Sequence, residues 1–221
     1  AIYWFARTAD DMADEGDAAS EERLRDLHAY EADLLAVASG GLPSPRWPDV
    51  FERLRPVLAE FRLPLALLTD LLSAFRQDVV QQRYADRSEL LDYCRRSANP
   101  IGRLLLHLYG VNDGASLDQS DAICTALQLI NFWQDIVVDT QRGRLYVPEA
   151  DLRRHGVPAL HKWAGAQTPA IRALLADLTV WARSLMLSGA PLVHAVPGRA
   201  GWELRLMVQN GLRMLEKIDA R

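Results

Sequence analysis

Gln128-Leu129-Ile130-Asn131-Phe132-Trp133-Gln134-Asp135-Ile136-Val137-Val138-Asp139 is the stretch that decides the fold class. At about 100° per residue, Gln128, Asn131, Asp135 and Asp139 fall within about 80° of arc on a helix. Ile123, Leu127, Leu129, Ile130, Phe132, Trp133, Ile136 and Val137 cover most of the remaining circumference, which is the pattern of a helix set inside a bundle. Ionised carboxylates buried there without partners would cost several kcal/mol each, so a cation, an arginine or a polar cavity is expected to face them. Two readings stay open at this point: a buried ion-pair network, or hard oxygen ligands of the kind Mg²⁺ takes.

A second acidic run lies far upstream, Asp10-Asp11-Met12-Ala13-Asp14-Glu15. On a helix, Tyr3, Arg7, Asp10 and Asp14 share an arc of about 60°. Taken alone, this motif also fits a solvated N-terminal helix. Taken with the first, it gives two acidic helical faces, and a diphosphate held between them through metal ions is the economical explanation. Carboxylates repel diphosphate directly, so metal ions must invert the local field and arginines must take up the remaining anionic charge. Arg7 sits on the upstream stripe, and Arg142-Gly143-Arg144-Leu145-Tyr146-Val147-Pro148 follows the downstream one. Arg144 and Tyr146 are placed either to close over a bound diphosphate or to cap the preceding helix.

The rest of the chain reads as all-α. Strand signals are scarce, and Ala, Leu, Arg and Glu dominate. Helices are expected at 1–14, 19–39, 47–60, 64–84, 87–110, 117–140, 168–189 and 198–219. Ser97-Ala98-Asn99-Pro100-Ile101-Gly102 should kink or break the fifth of these. The 221 residues fit one helical bundle domain. The chain opens without Met inside a helical pattern and stops just after another, so truncation at both ends is expected.

A formal net charge of -4 offers no global positive field for nucleic acid. Cys94 and Cys124 form neither a CxxC pair nor a Cys/His cluster, which suits a reducing cytoplasm. No apolar run is long enough to span a membrane. His28, His107, His155, His161 and His194 are scattered without metal-site spacing. Asp78, in Phe75-Arg76-Gln77-Asp78, reads equally as a cavity residue or as half of a surface pair with Arg76.

With both motifs placed, the chain resembles the head-to-head trans-isoprenyl diphosphate synthases, the squalene/phytoene synthase family. The likeness rests on Tyr3-x-x-x-Arg7-x-x-Asp10-Asp11-x-x-Asp14-Glu15, then Tyr93, then Gln128-x-x-Asn131-x-x-x-Asp135-x-x-x-Asp139-x-x-x-x-Arg144-x-Tyr146-x-Pro148. From about Trp163 onward only helical character aligns. The resemblance implies an enzyme in which Asp10, Asp14, Asn131, Asp135 and Asp139 hold a Mg²⁺ cluster. It implies that Arg7, Arg144 and Tyr146 bind diphosphate, and that Tyr3, Tyr93 and Gln128 line a cavity sheltering a carbocation.

Two departures narrow the resemblance. Gln134-Asp135 stands where condensing members carry Arg-Asp, and Ser97-Ala98-Asn99-Pro100-Ile101-Gly102 stands where they carry an Ala-Gly-x-Val-Gly-like break. Both variants resemble the bacterial hopanoid branch, the hydroxysqualene synthases. That likeness implies ionisation of presqualene diphosphate and capture of the rearranged cation by water, with no need for NADPH. A condensing synthase using farnesyl or geranylgeranyl diphosphate and a non-catalytic assembly factor are the competing expectations. The implied partners are the isoprenoid diphosphate, a presqualene diphosphate synthase, and a membrane surface suited to a water-insoluble product.

Overall fold

Capping chemistry sets several helix starts. Asp86 and Asp113 turn their carboxylates back to accept from the backbone N–H of Glu89 and Ser116, and Thr168 Oγ1 accepts from Ile171. Proline opens the third and tenth helices, where its missing N–H leaves no bond unmade. The computed structural model describes residues 1–157 and 168–219. Its helices are α1 (Ile2–Asp14), α2 (Ser20–Ala38), α3 (Pro48–Phe61), α4 (Leu65–Val80), α5 (Arg87–Ser97), α6 (Asn99–Leu108), α7 (Gly114–Gln134), α8 (Ile136–Gln141), α9 (Glu149–Arg154), α10 (Pro169–Gly189) and α11 (Gly198–Asp219). A 3₁₀ turn, Ala190–His194, follows α10. Among the described residues the only extended pairing is one isolated bridge between Arg83 and Leu145. The chain is all-α, as its composition implies.

Residues Ala1–Gln81 and Gln82–Arg221 form two compact units. The first packs α1 to α4 around stacked rings: Phe5 lies 5.1 Å from Tyr30, and Tyr30 lies 4.9 Å from Phe51. Tyr30 donates to the Phe5 carbonyl at 3.2 Å, so a buried hydroxyl is satisfied and α1 is tied to α2. Asp33, buried on α2, accepts from the backbone N–H and the hydroxyl of Ser44, both at 2.7 Å. Those bonds fix the Pro-rich turn that leads into α3.

In the second unit α7 is the central rod, contacted by α5, α6, α10 and α11. Glycine allows two of these close approaches. A Cβ on Gly102 of α6 would lie 2.6 Å from Cys124 Sγ and nearer still to Ser120 Oγ. A Cβ on Gly189 of α10 would lie 2.5 Å from the Gln119 carbonyl oxygen. Neither contact leaves room for a side chain.

The break expected near Asn99-Pro100 falls at Ala98, which separates α5 from α6. Asn99 is buried there and accepts from Thr125 Oγ1 at 3.0 Å, which pins the break against α7. The rod expected at 117–140 also divides: it begins at Gly114 and is interrupted at Asp135, whose φ of -95° and ψ of 7° leave the helical region. Its interruption opens the β-branched run Ile136-Val137-Val138, whose crowding against the preceding turn weakens helix. The six-residue α9 lies between the helices expected at 117–140 and 168–189, where the sequence pattern implies none. No helix among the described residues is long and apolar enough to cross a membrane.

Candidate active site

The upstream motif occupies the C-terminal half of α1. Arg7 does more than share a stripe with Asp10 and Asp14. Its guanidinium reaches Asp11 at 2.7 Å, Glu15 at 2.8 Å and Asp10 at 3.4 Å. The charge of Asp11 above all, with Glu15 and Asp10, holds the Arg7 pKa above its ordinary value against a smaller desolvation cost. Arg7 is thereby the resident counter-ion of the α1 acidic face. Asp14 stands exposed on the last turn, and Tyr3 is exposed one turn before Arg7 with its ring edge-on to Trp4.

On α7 the burial differs from the sequence expectation. Ile123, Leu129, Ile130, Phe132 and Trp133 are buried as the apolar arc requires, but Asn131 and Asp135 are exposed and Gln128 and Asp139 half-exposed. Asp135 makes no ion pair with any described residue. The buried ion-pair network weighed from the sequence is therefore not what holds Asp135. The polar stripe opens to solvent while Ile123, Leu129, Ile130, Phe132 and Trp133 beside it are enclosed. Backbone bonds from Asp135 to Asn131 and from Asp139 to Asp135, at 3.0 and 2.8 Å, carry the four-residue register across the interruption.

Arg144 and Tyr146 follow on a segment that is already docked. The Arg144 N–H bonds the Asp139 carbonyl at 2.8 Å, and the Leu145 N–H bonds the Gln82 carbonyl at 2.8 Å. Leu145 and Val147 are buried, and the backbone of Glu149 donates to Tyr84 at 2.9 Å. Main-chain bonds and two buried side chains thus fix the backbone that carries Arg144 and Tyr146. The Tyr146 ring joins Tyr84, Tyr93 and Phe132 in one aromatic cluster, which places Tyr93 in packed surroundings.

A cavity of about 250 Å³ lies between α6, α7, the 3₁₀ turn and α11. Its α7 wall is Ser120, Ile123, Cys124 and Leu127; Leu105 and Tyr109 face it from α6, and Leu204 and Met207 from α11. Burial pushes the Cys124 thiol up to about 11 and the Cys94 thiol to about 12, so both stay protonated and behave as packing groups.

Sequence reasoning missed several residues. No motif marks the cavity wall on α11, because apolar residues on a helix read as core until the packing shows a void. Asp78 is buried on α4, while Arg76 pairs with Glu31 at 2.8 Å, so the proposed surface pair does not form. A charged network also appears: Arg87 bridges Asp151 and Asp177, both at 2.8 Å, with Arg154 and His155 joining them. It ties α5, α9 and α10 together. His161 and Trp163 lie outside the described residues.

On α7 an oxygen-rich face thus lies at one end of an apolar cavity wall. The sequence model of the squalene/phytoene synthase family matches residues 1–221, and the chain belongs to that family of isoprenoid synthases. It is 34% identical to a hydroxysqualene synthase of Rhodopseudomonas palustris, covering 100% of this chain and 74% of that protein. It is 35% identical to one from Sinorhizobium fredii, covering 99% and 71%. A presqualene diphosphate synthase of Rhodopseudomonas palustris is 29% identical over 100% of this chain and 77% of its own. Among solved structures, squalene synthase HpnC from Alicyclobacillus acidocaldarius superposes with a TM-score of 0.89 at 35% identity, covering 98% of this chain and 80% of that one.

Proposed function

We propose that this protein is a hydroxysqualene synthase, ionising presqualene diphosphate with Mg²⁺ and delivering water to the rearranged cation. The observation that carries the reading is one face of α7. Ser120, Cys124, Leu127, Asn131 and Asp135 lie within about 80° of arc, so the cavity wall runs directly into the oxygen donors. At 1.5 Å per residue, Asp135 stands about 12 Å beyond Leu127 along the helix. A diphosphate at Asn131 and Asp135 therefore directs its hydrocarbon toward the cavity.

The donor set fits Mg²⁺. The candidates are carboxylates and an amide, and Asn131 and Asp135 are exposed one turn apart. Among the described residues no three histidine, cysteine or carboxylate side chains converge into a ready cage. Mg²⁺ does not need one, since it keeps several waters and takes ligands from substrate phosphates. Asp10, Asp14, Asn131, Asp135 and Asp139 are the residues proposed to hold it. When bound, Mg²⁺ neutralises the diphosphate oxygens and makes diphosphate a better leaving group.

The chain's own residues do the rest. Arg144 and Tyr146, pre-positioned on the docked segment, take up diphosphate charge, and Arg7 exchanges its carboxylate partners for phosphate oxygen. The apolar walls around Ile123 and Leu127 keep bulk water from the cation, so capture is confined to water admitted at the polar end. Gln128, half-exposed on α7, is the side chain proposed to hold that water. Gln134-Asp135 and the Asn99-Pro100 break support this branch over the condensing one.

Incubation with Mg²⁺ and either presqualene diphosphate or farnesyl diphosphate, without NADPH, followed by mass spectrometry, tests the proposal. Hydroxysqualene from presqualene diphosphate, with farnesyl diphosphate untouched, is the expected result. Consumption of farnesyl diphosphate would move the protein to the condensing branch, and turnover of neither would favour an assembly role.

A further inference from the structure

Opposite α7 the apolar cavity is lined by Leu192 of the 3₁₀ turn Ala190–His194, by Val196, and by Ala200, Glu203 and Leu204 on the first turns of α11. On its outer side the same element carries large apolar groups in solvent. Trp202 is 65% exposed and Leu206 60%, one turn apart on α11, and Leu187 at the end of α10 is 53% exposed. Singly exposed apolar residues need no explanation, but an aromatic and two leucines gathered at one end of a unit do.

Cations accompany them. Arg205 lies over the Trp202 ring, 5.1 Å from its centroid, and Arg199 is on the preceding turn. Glu203 is paired with Arg199 at 2.7 Å. Farther along the same outward face stand Arg213 and Lys217, with Glu216 between them. The exposed charged residues of α11 are thus four cations against three carboxylates, Glu203, Glu216 and Asp219, in a chain whose net charge is -4. Beside Arg205, a groove of about 470 Å³ is lined by Leu187, Pro191, Val193, His194 and Gln209. Apolar groups capable of insertion, a tryptophan and flanking arginines are the composition of an interfacial membrane contact.

From this surface we infer that the 3₁₀ turn and the outward face of α11 dock on an anionic lipid bilayer. The cations meet the headgroups, Trp202, Leu206 and Leu187 enter the interfacial layer, and the cavity behind them is brought to the membrane. Its rim at Leu105, Tyr109 and Met207 is itself 44 to 49% exposed, which gives a hydrocarbon product a path into lipid that avoids water. The docking is read from the surface alone, and the discharge of product rests on the function proposed above.

Flotation with vesicles of phosphatidylcholine, with or without phosphatidylglycerol, tests the docking without reference to turnover. The protein is expected to float with the anionic vesicles, and to be released by salt. W202S/L206S, at two exposed positions, should lower partitioning about tenfold or more with an unchanged melting temperature. R205Q/R213Q should lower it about 25-fold, at about fivefold per cation. Failure of the parent protein to float, or equal flotation of parent and both variants, overturns the docking even where presqualene diphosphate is turned over in detergent. Flotation lost in the variants without turnover of presqualene diphosphate leaves the docking standing and removes the function.

Discussion

The Tyr146 ring lies flat against Phe132, with centroids 3.8 Å apart and planes within 5°. One ring belongs to the central helix and the other to the segment that presents Arg144, so the stack joins the segment proposed to bind diphosphate to the helix bearing the acidic stripe. The main-chain bond from Leu145 to Gln82 acts in the same sense. Together they predict a segment ordered before substrate arrives. Hydrogen exchange should show the Leu145 amide protected in the unliganded protein and little altered by diphosphate. Phe132→Ala should cost about 3 to 5 kcal/mol in a urea melt, as for other buried aromatics. Tyr146→Phe keeps the stack and should leave stability within about 1 kcal/mol while lowering turnover, because only a hydroxyl is removed.

Asp135 gives a cleaner separation of chemistry from folding. Its carboxylate is exposed and makes no ion pair with a described residue, so Asp135→Asn should change stability by less than about 0.5 kcal/mol. The same change removes a charge proposed to hold Mg²⁺ and should lower turnover of presqualene diphosphate about a thousandfold or more. Circular dichroism melts beside product quantification measure both. A melting temperature that falls together with activity would mean that Asp135 is structural.

The contrast at Asp135 shows how far the sequence could be read. Periodicity placed Gln128, Asn131, Asp135 and Asp139 on one stripe, and the helical register bears this out. It also implied that the stripe was buried, because a helix wheel reports which residues share a face and not what lies opposite. Ala98 was legible for a different reason: proline acts locally, and the break follows from one residue's missing N–H. The docked 142–148 segment was not legible, since it depends on main-chain partners at 82–85 that no side-chain pattern announces. The cavity escaped for a related reason. Leu105, Ile123, Leu127 and Leu204 look like core residues, and only the three-dimensional packing leaves space among them.

Gly102 controls how closely α6 approaches α7 beside that cavity. Gly102→Ala would place a methyl group against Ser120 Oγ and Cys124 Sγ, both on the rigid central helix. Overpacking of this kind costs about 1 to 3 kcal/mol, and relief by displacing α6 would widen the cavity. The double variant Gly102→Ala/Ser120→Gly removes the nearer obstacle. Its stability should exceed the sum of the two single effects by about 1 kcal/mol, since residues in contact couple. Thermal melts of the four proteins in the cycle decide this, and strict additivity would show that the helices are not in tight contact there.

Asp177 predicts the acid limit of the second unit. Burial opposes its ionisation, but the hydrogen bond from His155 and the charges of Arg87, Arg154 and His155 outweigh that cost and hold its pKa below the ordinary carboxylate value. A carboxyl depressed by folding contributes stability that is fully present above its unfolded-state pKa, about 3.9, and is lost as pH falls through the lower folded value. Asp177→Asn should therefore be less stable than the parent at neutral pH, where three cationic or polar partners lose their anion. The gap between the two urea midpoints should narrow steadily below about pH 4. A gap that persisted unchanged to about pH 2 would assign the loss to shape at position 177 and not to charge.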